Sequence, residues 1–145
     1  MENVIIRKLR EEDVEDIGRI QGRITKSAVP QGFLEIVQEY AAKPDNACFV
    51  AEYEGQIVGF MISSILPGIF GTERSAWIAI LGVEPRYMGQ DIGRALAAEV
   101  FSFFKEKGIK NIYTSVRWDS TDILSFFKTL GFDRSNFINL RRVLD

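Results

Sequence analysis

The stretch from Val83 to Leu96 contains a strand end, a glycine turn and a helix start in succession, an arrangement that can bind an anion. The β-rich run 77–83 stops at Pro85, because proline has no N–H to donate to a sheet ladder. An amphipathic run follows over 92–107, with apolar residues at helical spacing. The first N–H groups of a helix have no partner within it, and a phosphate is the ion most often bound there. The sequence therefore predicts a phosphate-binding turn.

Composition excludes several other kinds of site. The chain of 145 residues has no histidine, which excludes histidine metal ligands and Ser-His or Cys-His nucleophile pairs. Its net charge of -2 argues against nucleic acid as the main partner, since phosphate contacts need a basic face. The single cysteine, Cys48, excludes an internal disulfide and fits a reducing compartment. With no apolar run near the ~20 residues that span a bilayer and no signal-peptide pattern, we expect a cytoplasmic protein with no metal and no membrane partner.

The elements that must position the turn follow from periodicity and from breaker residues. Alternating β-branched runs predict strands, and apolar residues at i, i+3 and i+4 predict helices. The expected strands cover 4–9, 47–53, 56–66, 75–83, 111–117 and 137–143, and the expected helices cover 11–23, 33–40, 92–107 and 120–130. The order β-α-α-β-β-β-α-β-α-β predicts one α/β domain over 1–145, with a mixed sheet flanked by helices. The strands on either side of the long helix should be parallel and joined by a right-handed crossover.

Three segments resemble the GNAT superfamily of acyl-CoA-dependent N-acyltransferases, in the order that this family has them. They are the turn at 88–93, the run Ala47–Phe60 and the segment Phe126–Phe132. The order of strands and helices is similar to the GNAT fold over nearly the whole chain. The resemblance implies that the turn holds the pyrophosphate of coenzyme A and that acetyl-CoA is the cosubstrate. The pantetheine arm is then expected to pair like an extra strand with the strand before the turn, through backbone groups of Leu81 and Val83.

The family pattern of the turn, Gln/Arg-x-x-Gly-x-Gly/Ala, corresponds to Met88, Asp91 and Gly93. The cofactor contacts implied by the resemblance are Met88, Gly89, Gln90, Asp91, Ile92, Gly93 and Arg94. Met88 matters little if the turn acts through backbone N–H groups, since its own N–H remains. Asp91 is expected to repel a pyrophosphate ~6 Å away by roughly 1–3 kcal/mol, or else to cap a helix that binds nothing. Arg86 and Arg94 either offset this carboxylate or are solvated surface charges.

Catalytic groups are harder to match to the family. The tyrosine that protonates the leaving thiolate in many members corresponds to Phe127, and the asparagine at the head of the same helix corresponds to Ser120. The resemblance therefore supplies no general acid, and water or Ser120 is left for this role. A general base must be an acid that reaches the site directly or through one water, although a surface carboxylate or helix cap is the commoner role of each candidate. The candidates are Asp119, which ranks first, then Glu73, and less favourably Glu52 and Glu84.

The acceptor side is expected to include Trp118, just past a strand end, and Phe33, near the connection 24–30. Together these features predict an acetyl-CoA-dependent N-acetyltransferase in which an amine attacks the thioester directly in a ternary complex. Phe127 and Asp91 leave two alternatives: a non-catalytic acyl-CoA-binding or regulatory module, and a structural domain of this fold that has lost the cofactor. The acceptor amine, on a small molecule or a protein, cannot be read from the fold, and a homodimer is common for such domains.

Overall fold

The computed structural model describes residues 3–68 and 73–145, which fall into two compact units that divide after Thr114. The strands of the first unit are β1 (Ile5–Lys8), β2 (Ala47–Tyr53), β3 (Gln56–Leu66), β4 (Ser75–Val83) and β5 (Ile112–Thr114). Its helices are α1 (Val14–Thr25), α2 (Gln31–Ala42) and α3 (Ile92–Glu106), with short 3-10 turns at Glu11–Asp13 and Pro85–Tyr87. The second unit contains α4 (Thr121–Thr129). None of the helices described is long and apolar enough to cross a membrane.

The five strands form one mixed sheet in the order β1-β2-β3-β4-β5. Neighbouring strands are antiparallel except β4 and β5, which are parallel, as predicted for the strands on either side of α3. The tight turn between β2 and β3 consists of Glu54 and Gly55, both with positive φ (51° and 79°), as the favoured two-residue hairpin turns require. The α/β class with a mixed sheet and flanking helices is therefore confirmed.

Helices α1 and α3 pack on opposite faces of the sheet. A Cβ added to Gly59 of β3 would lie 3.0 Å from Cγ2 of Ile92 in α3, whereas one added to Gly82 of β4 would lie 2.9 Å from Cδ1 of Ile24 in α1. Gly82 pairs with Phe60, the neighbour of Gly59, and successive strand residues point to opposite faces. The two glycines thus allow close helix packing, one on each face, and the four-residue apolar spacing of α3 buries the side facing the sheet.

The C-terminal part departs from the sequence prediction. β5 is shorter than expected, because its pairing with β4 ends at Thr114, whose Oγ1 donates a hydrogen bond to the carbonyl of Ile78 (2.9 Å). The prediction of a strand over 137–143 is wrong, since these residues pair with no strand in the described chain. Ile138 and Leu140 are 83% and 84% exposed. The apolar pattern supplies strand propensity, but a strand also needs a ladder partner and a face to bury.

Candidate active site

The sheet opens halfway along β4. The register of β4 against β3 shifts by one residue between Ile78 and Ile80, so that Ala79 is bulged out of the ladder. The pairing of β4 with β5 ends at the same point, at Ile78 and Thr114. The second half of β4 therefore has β3 on one side and no strand of the described chain on the other.

The two predicted backbone contacts in β4 lie on this open edge. The N–H of Glu84, directly after β4, donates to the carbonyl of Val58 in β3 (2.8 Å). Because alternate residues of a strand direct their N–H and C=O groups to the same side, Leu81 and Val83 direct theirs away from β3. This edge is available to an extended, amide-bearing ligand. Gly82 lies between them, and a Cβ added there would lie 2.7 Å from the ring of Phe60, so packing requires a glycine at this position.

The turn after β4 presents main-chain N–H groups at the start of α3. The N–H of Ala95 donates to the carbonyl of Asp91 (3.0 Å), which is the first bond of the helix ladder. The N–H groups of Ile92, Gly93 and Arg94 precede this bond, and the side chain of Asp91 makes no capping hydrogen bond. Since a helix N-terminus carries partial positive charge, this arrangement suits an anion such as pyrophosphate.

Asp91 adopts the left-handed backbone conformation, with φ 64° and ψ 15°. This region favours glycine, and aspartate is among the few other residues that enter it readily. The family pattern has glycine at this position, so the chain keeps the glycine-type backbone and changes only the side chain. The alternative in which the Asp91 carboxylate satisfies the helix N–H groups is wrong, because the carboxylate makes no such bond. Space around Gly89, also at positive φ (81°), is open.

Met88 is held more tightly than the sequence predicted. Its N–H donates to the carbonyl of Pro85 (3.2 Å), so the expectation that this N–H remains available is wrong. The Met88 side chain is 56% exposed, and Gln90 and Arg94 are also exposed. The guanidinium of Arg86 lies 4.9 Å above the ring of Tyr87, its own neighbour. Ligand contacts in the turn are therefore expected after Met88, toward the helix start.

Two other predicted residues of the first unit lie apart from the turn. Phe33, in α2, is half-buried and packs against the main hydrophobic core. Glu73 lies two residues before the start of β4, whereas the turn follows Val83 at the other end of that strand. At about 3.3 Å per residue, the nine-residue strand separates Glu73 from the turn by roughly 25 Å. The structure thus does not bring Glu73 next to Leu81 and Val83.

The remaining candidates lie in the second unit, in the turn that leads into α4. Trp118 is 87% exposed, so it is not a core residue. Asp119 accepts two hydrogen bonds from Arg117, both 2.9 Å long, and this donor lowers the pKa of the Asp119 carboxyl. Ser120 occupies the N-cap position of α4, with its hydroxyl making no capping hydrogen bond. The turn therefore places an exposed indole, an ionised carboxylate and a hydroxyl on three consecutive residues.

Phe127 is the buried residue of α4, with 3% of its surface exposed. Its ring makes edge contacts with Phe126 and Phe132, at centroid distances of 5.3 and 5.0 Å. An apolar ring in this position has no proton to give, in agreement with the missing tyrosine. In the ranges 3–68 and 73–145, no group of three or more cysteine, aspartate or glutamate residues is placed to hold a metal ion.

Sequence reasoning missed two features that shape the site. The bulge at Ala79 depends on pairing across three strands and leaves no local pattern. An ion pair between Arg23 and Glu84 joins residues 61 positions apart, whereas the sequence offers Glu84 only as a candidate base. The left-handed backbone of Asp91, by contrast, has a sequence signal, because it occupies the position of a family glycine.

Known proteins match most of the chain. A family model described as the acetyltransferase (GNAT) family matches residues 14–132. A mycothiol acetyltransferase of Amycolatopsis mediterranei is 31% identical over 93 residues, which cover 62% of this chain and 31% of that protein. The chain spans between 23% and 37% of the length of this and three other mycothiol acetyltransferases that it matches.

Solved structures with this fold cover nearly the whole chain. The aminoglycoside N-acetyltransferase AAC(6')-Iy, in complex with a bisubstrate analog, has a TM-score of 0.82, with 18% identity and 99% of both chains covered. A transcriptional regulator from Bacillus halodurans C-125 also has a TM-score of 0.82, with 22% identity, covering 98% of this chain and 100% of that one. At these identities the likeness shows the fold. Together with the match over residues 14–132, it establishes that the chain belongs to the GNAT acetyltransferase family.

Proposed function

We propose that this chain transfers the acetyl group of acetyl-CoA to a primary amine. The observation that carries the proposal is the open edge of β4 at Leu81 and Val83, which leads through the turn to the N–H groups at the start of α3. An edge strand pairs with an extended amide-bearing chain such as pantetheine, and a helix start binds pyrophosphate. Family membership and the relatives named for mycothiol acetylation support acetyl transfer as the reaction.

In the proposed reaction both substrates are bound together, and no acyl-enzyme forms. The amine nitrogen bonds to the thioester carbonyl carbon, the C–S bond breaks, and CoA leaves as its thiolate. The surplus proton of the amine passes to Asp119, directly or through one water. Water or the Ser120 hydroxyl protonates the thiolate, because Phe127 has no proton to give. Positioning of the two substrates and polarisation of the carbonyl by backbone N–H groups supply most of the rate.

For the acceptor we propose a small polar amine that contacts Trp118. The support is indirect: relatives and structural neighbours are named for mycothiol and for aminoglycosides. The large exposed fraction of Trp118 is consistent with an indole that gains a partner when a ligand binds. We further propose that the protein works in the cytoplasm without a metal, and that it forms a homodimer, which sedimentation of the purified protein tests.

An amine library incubated with acetyl-CoA, with detection of the released CoA thiol, tests the proposal. We expect thiol release with at least one amine and a product heavier by one acetyl group in mass spectrometry. CoA binding without turnover of any amine would support the alternative, a non-catalytic acyl-CoA-binding or regulatory module. Phe127, buried between two other phenylalanine rings, is the observation that favours this alternative. Absence of CoA binding in calorimetry would refute both.

A further inference from the structure

An ion pair joins Arg23, in the last turn of α1, to Glu84, the residue directly after β4. Nε of Arg23 donates to Oε1 of Glu84 at 2.7 Å, and Nη2 of Arg23 contacts Oε2, so that the pair is bidentate. The Glu84 side chain is 12% exposed and that of Arg23 is 46% exposed. A bidentate guanidinium–carboxylate pair fixes the orientation of both groups as well as their distance. The pair therefore holds Glu84 in one direction relative to α1.

Glu84 is also the main-chain junction between the sheet and the turn. Its N–H donates to the carbonyl of Val58, the last rung toward β3, and its carbonyl accepts from the N–H of Tyr87, both at 2.8 Å. The next bond, from Met88 to Pro85, continues the same 3-10 turn. The helix α3 begins at Ile92, only eight residues after Glu84. The direction in which the chain leaves the sheet at Glu84 thus sets where the phosphate-binding N–H groups lie.

Stability alone is a poor explanation for this pair. The Arg23 side chain is half exposed, and ion pairs with a solvent-exposed partner add little to the free energy of unfolding because water screens them. The pair borders a cavity of about 730 Å³ whose walls include Asp16, Arg19 and Tyr87, so water reaches it from one side. What distinguishes the ion pair is its position between α1 and the start of the turn.

We infer that Arg23 and Glu84 are positioning residues that hold the turn for coenzyme A. The inference rests on the proposed function. Neither side chain is assigned a contact with the cofactor, because Arg23 acts on Glu84 and Glu84 acts through the main chain of the turn. CoA affinity should therefore depend on the pair as a unit.

Calorimetric titration with CoA tests the inference on the full chain. Glu84→Gln and Arg23→Gln should each raise the Kd for CoA about tenfold, and the double variant should be no worse than either single variant, as expected for residues that act as one unit. Arg23→Lys and Glu84→Asp should fall between these values and the wild type, and they keep the test open if the amide variants fail to fold. Arg19→Gln is the matched control, since Arg19 lies on the same helix and cavity but pairs with Asp16 within α1. Its Kd should be unchanged.

Hydrogen exchange separates positioning from stability. Without any ligand, the hydrogen-bonded amides of Tyr87 and Met88 should exchange faster in Glu84→Gln and Arg23→Gln, while the amides of β2 and β3 should not change. Folded variants with a lower melting temperature but an unchanged Kd for CoA would overturn the inference. Additive losses of CoA affinity in the double variant would also overturn it, because they indicate that the two residues make separate contacts. A wild-type chain that does not bind CoA would refute the proposed function. Exchange of the Tyr87 and Met88 amides in the free protein would then still decide whether the pair holds the turn.

Discussion

The turn before α3 and the turn before α4 present different kinds of chemical group to a ligand. The first offers main-chain N–H groups, and the side chains of Met88, Gln90 and Asp91 are exposed. The second offers side chains, with Trp118 exposed and Asp119 held by Arg117. A site made of backbone tolerates changes of residue type as long as the conformation is kept. A site made of side chains does not, and its chemistry changes when one residue is replaced.

The two turns also differ in what fixes them. The start of α3 is buried against the sheet, where Ile92 and Leu96 are at most 2% exposed and Gly59 leaves room for both. In α4 the buried residue is Phe127, and Ile123 and Leu124 are 47% and 39% exposed. Rigid support suits a turn whose amides we propose to bind a pyrophosphate. The comparison predicts that changes to the first turn act on CoA binding and changes to the second act on turnover.

Gly93→Val should abolish most CoA binding at the first turn, and this is the largest effect that we expect. A branched side chain beside the N–H groups that precede the ladder blocks the approach of a phosphate. Loss of two charge-assisted hydrogen bonds, at about 1.5–3 kcal/mol each, corresponds to at least about a hundredfold loss of CoA affinity in calorimetry. Ala98→Val, on the exposed side of α3, carries a similar cost of a β-branched residue in a helix and should retain affinity. Unchanged affinity in folded Gly93→Val would place the cofactor elsewhere.

Asp119→Asn should break the second turn, lowering kcat about a hundredfold while leaving the KM for acetyl-CoA nearly unchanged, as expected for loss of a general base. Because Arg117 lowers the pKa of Asp119, the wild-type carboxylate is ionised throughout the neutral range. The carboxylate stops acting as a base only as the pH falls through that lowered pKa. The ratio of the wild-type kcat to the kcat of Asp119→Asn should therefore be constant from about pH 6 to pH 8. Asp122→Asn, an exposed acid in the first turn of α4, is the control. Equal rates for Asp119→Asn and wild type would remove Asp119 from the mechanism.

The sequence predicts the first turn better than the second because the first rests on local patterns. Pro85 ends the strand, Gly89 allows positive φ, and the four-residue apolar spacing defines α3. The bulge at Ala79 and the pairing of Arg23 with Glu84 depend on contacts across the fold, which no window of sequence contains. The segment 137–143 shows the opposite case. Its local sequence pattern is that of a strand, but no strand of the described chain pairs with it.

Asp91→Gly should strengthen CoA binding at the first turn. Removing the carboxylate takes away a repulsion of roughly 1–3 kcal/mol, so CoA should bind about fivefold tighter at low ionic strength, with less gain in high salt. The Asp91 side chain makes no capping hydrogen bond that the variant could lose, and glycine adopts the left-handed backbone conformation without steric cost. The melting temperature should therefore stay the same or rise. Glu54→Gly, which removes the same charge at another positive φ, should leave CoA affinity unchanged. Weaker CoA binding by Asp91→Gly would show that the carboxylate organises the turn.

Phe127→Tyr should have the smallest effect, although it restores the tyrosine that many family members use as a general acid. The CoA thiol is a fair leaving group near neutral pH, so thiolate protonation is not expected to limit turnover. We expect kcat to rise by no more than about threefold, with the KM for acetyl-CoA unchanged. The hydroxyl enters a niche between Phe126 and Phe132, and an unpaired hydroxyl there costs about 1–3 kcal/mol of folding free energy. Phe126→Tyr, at the half-buried neighbouring position, controls for the added hydroxyl. A rise in kcat of tenfold or more, confined to Phe127→Tyr, would show that proton donation limits turnover in the wild type.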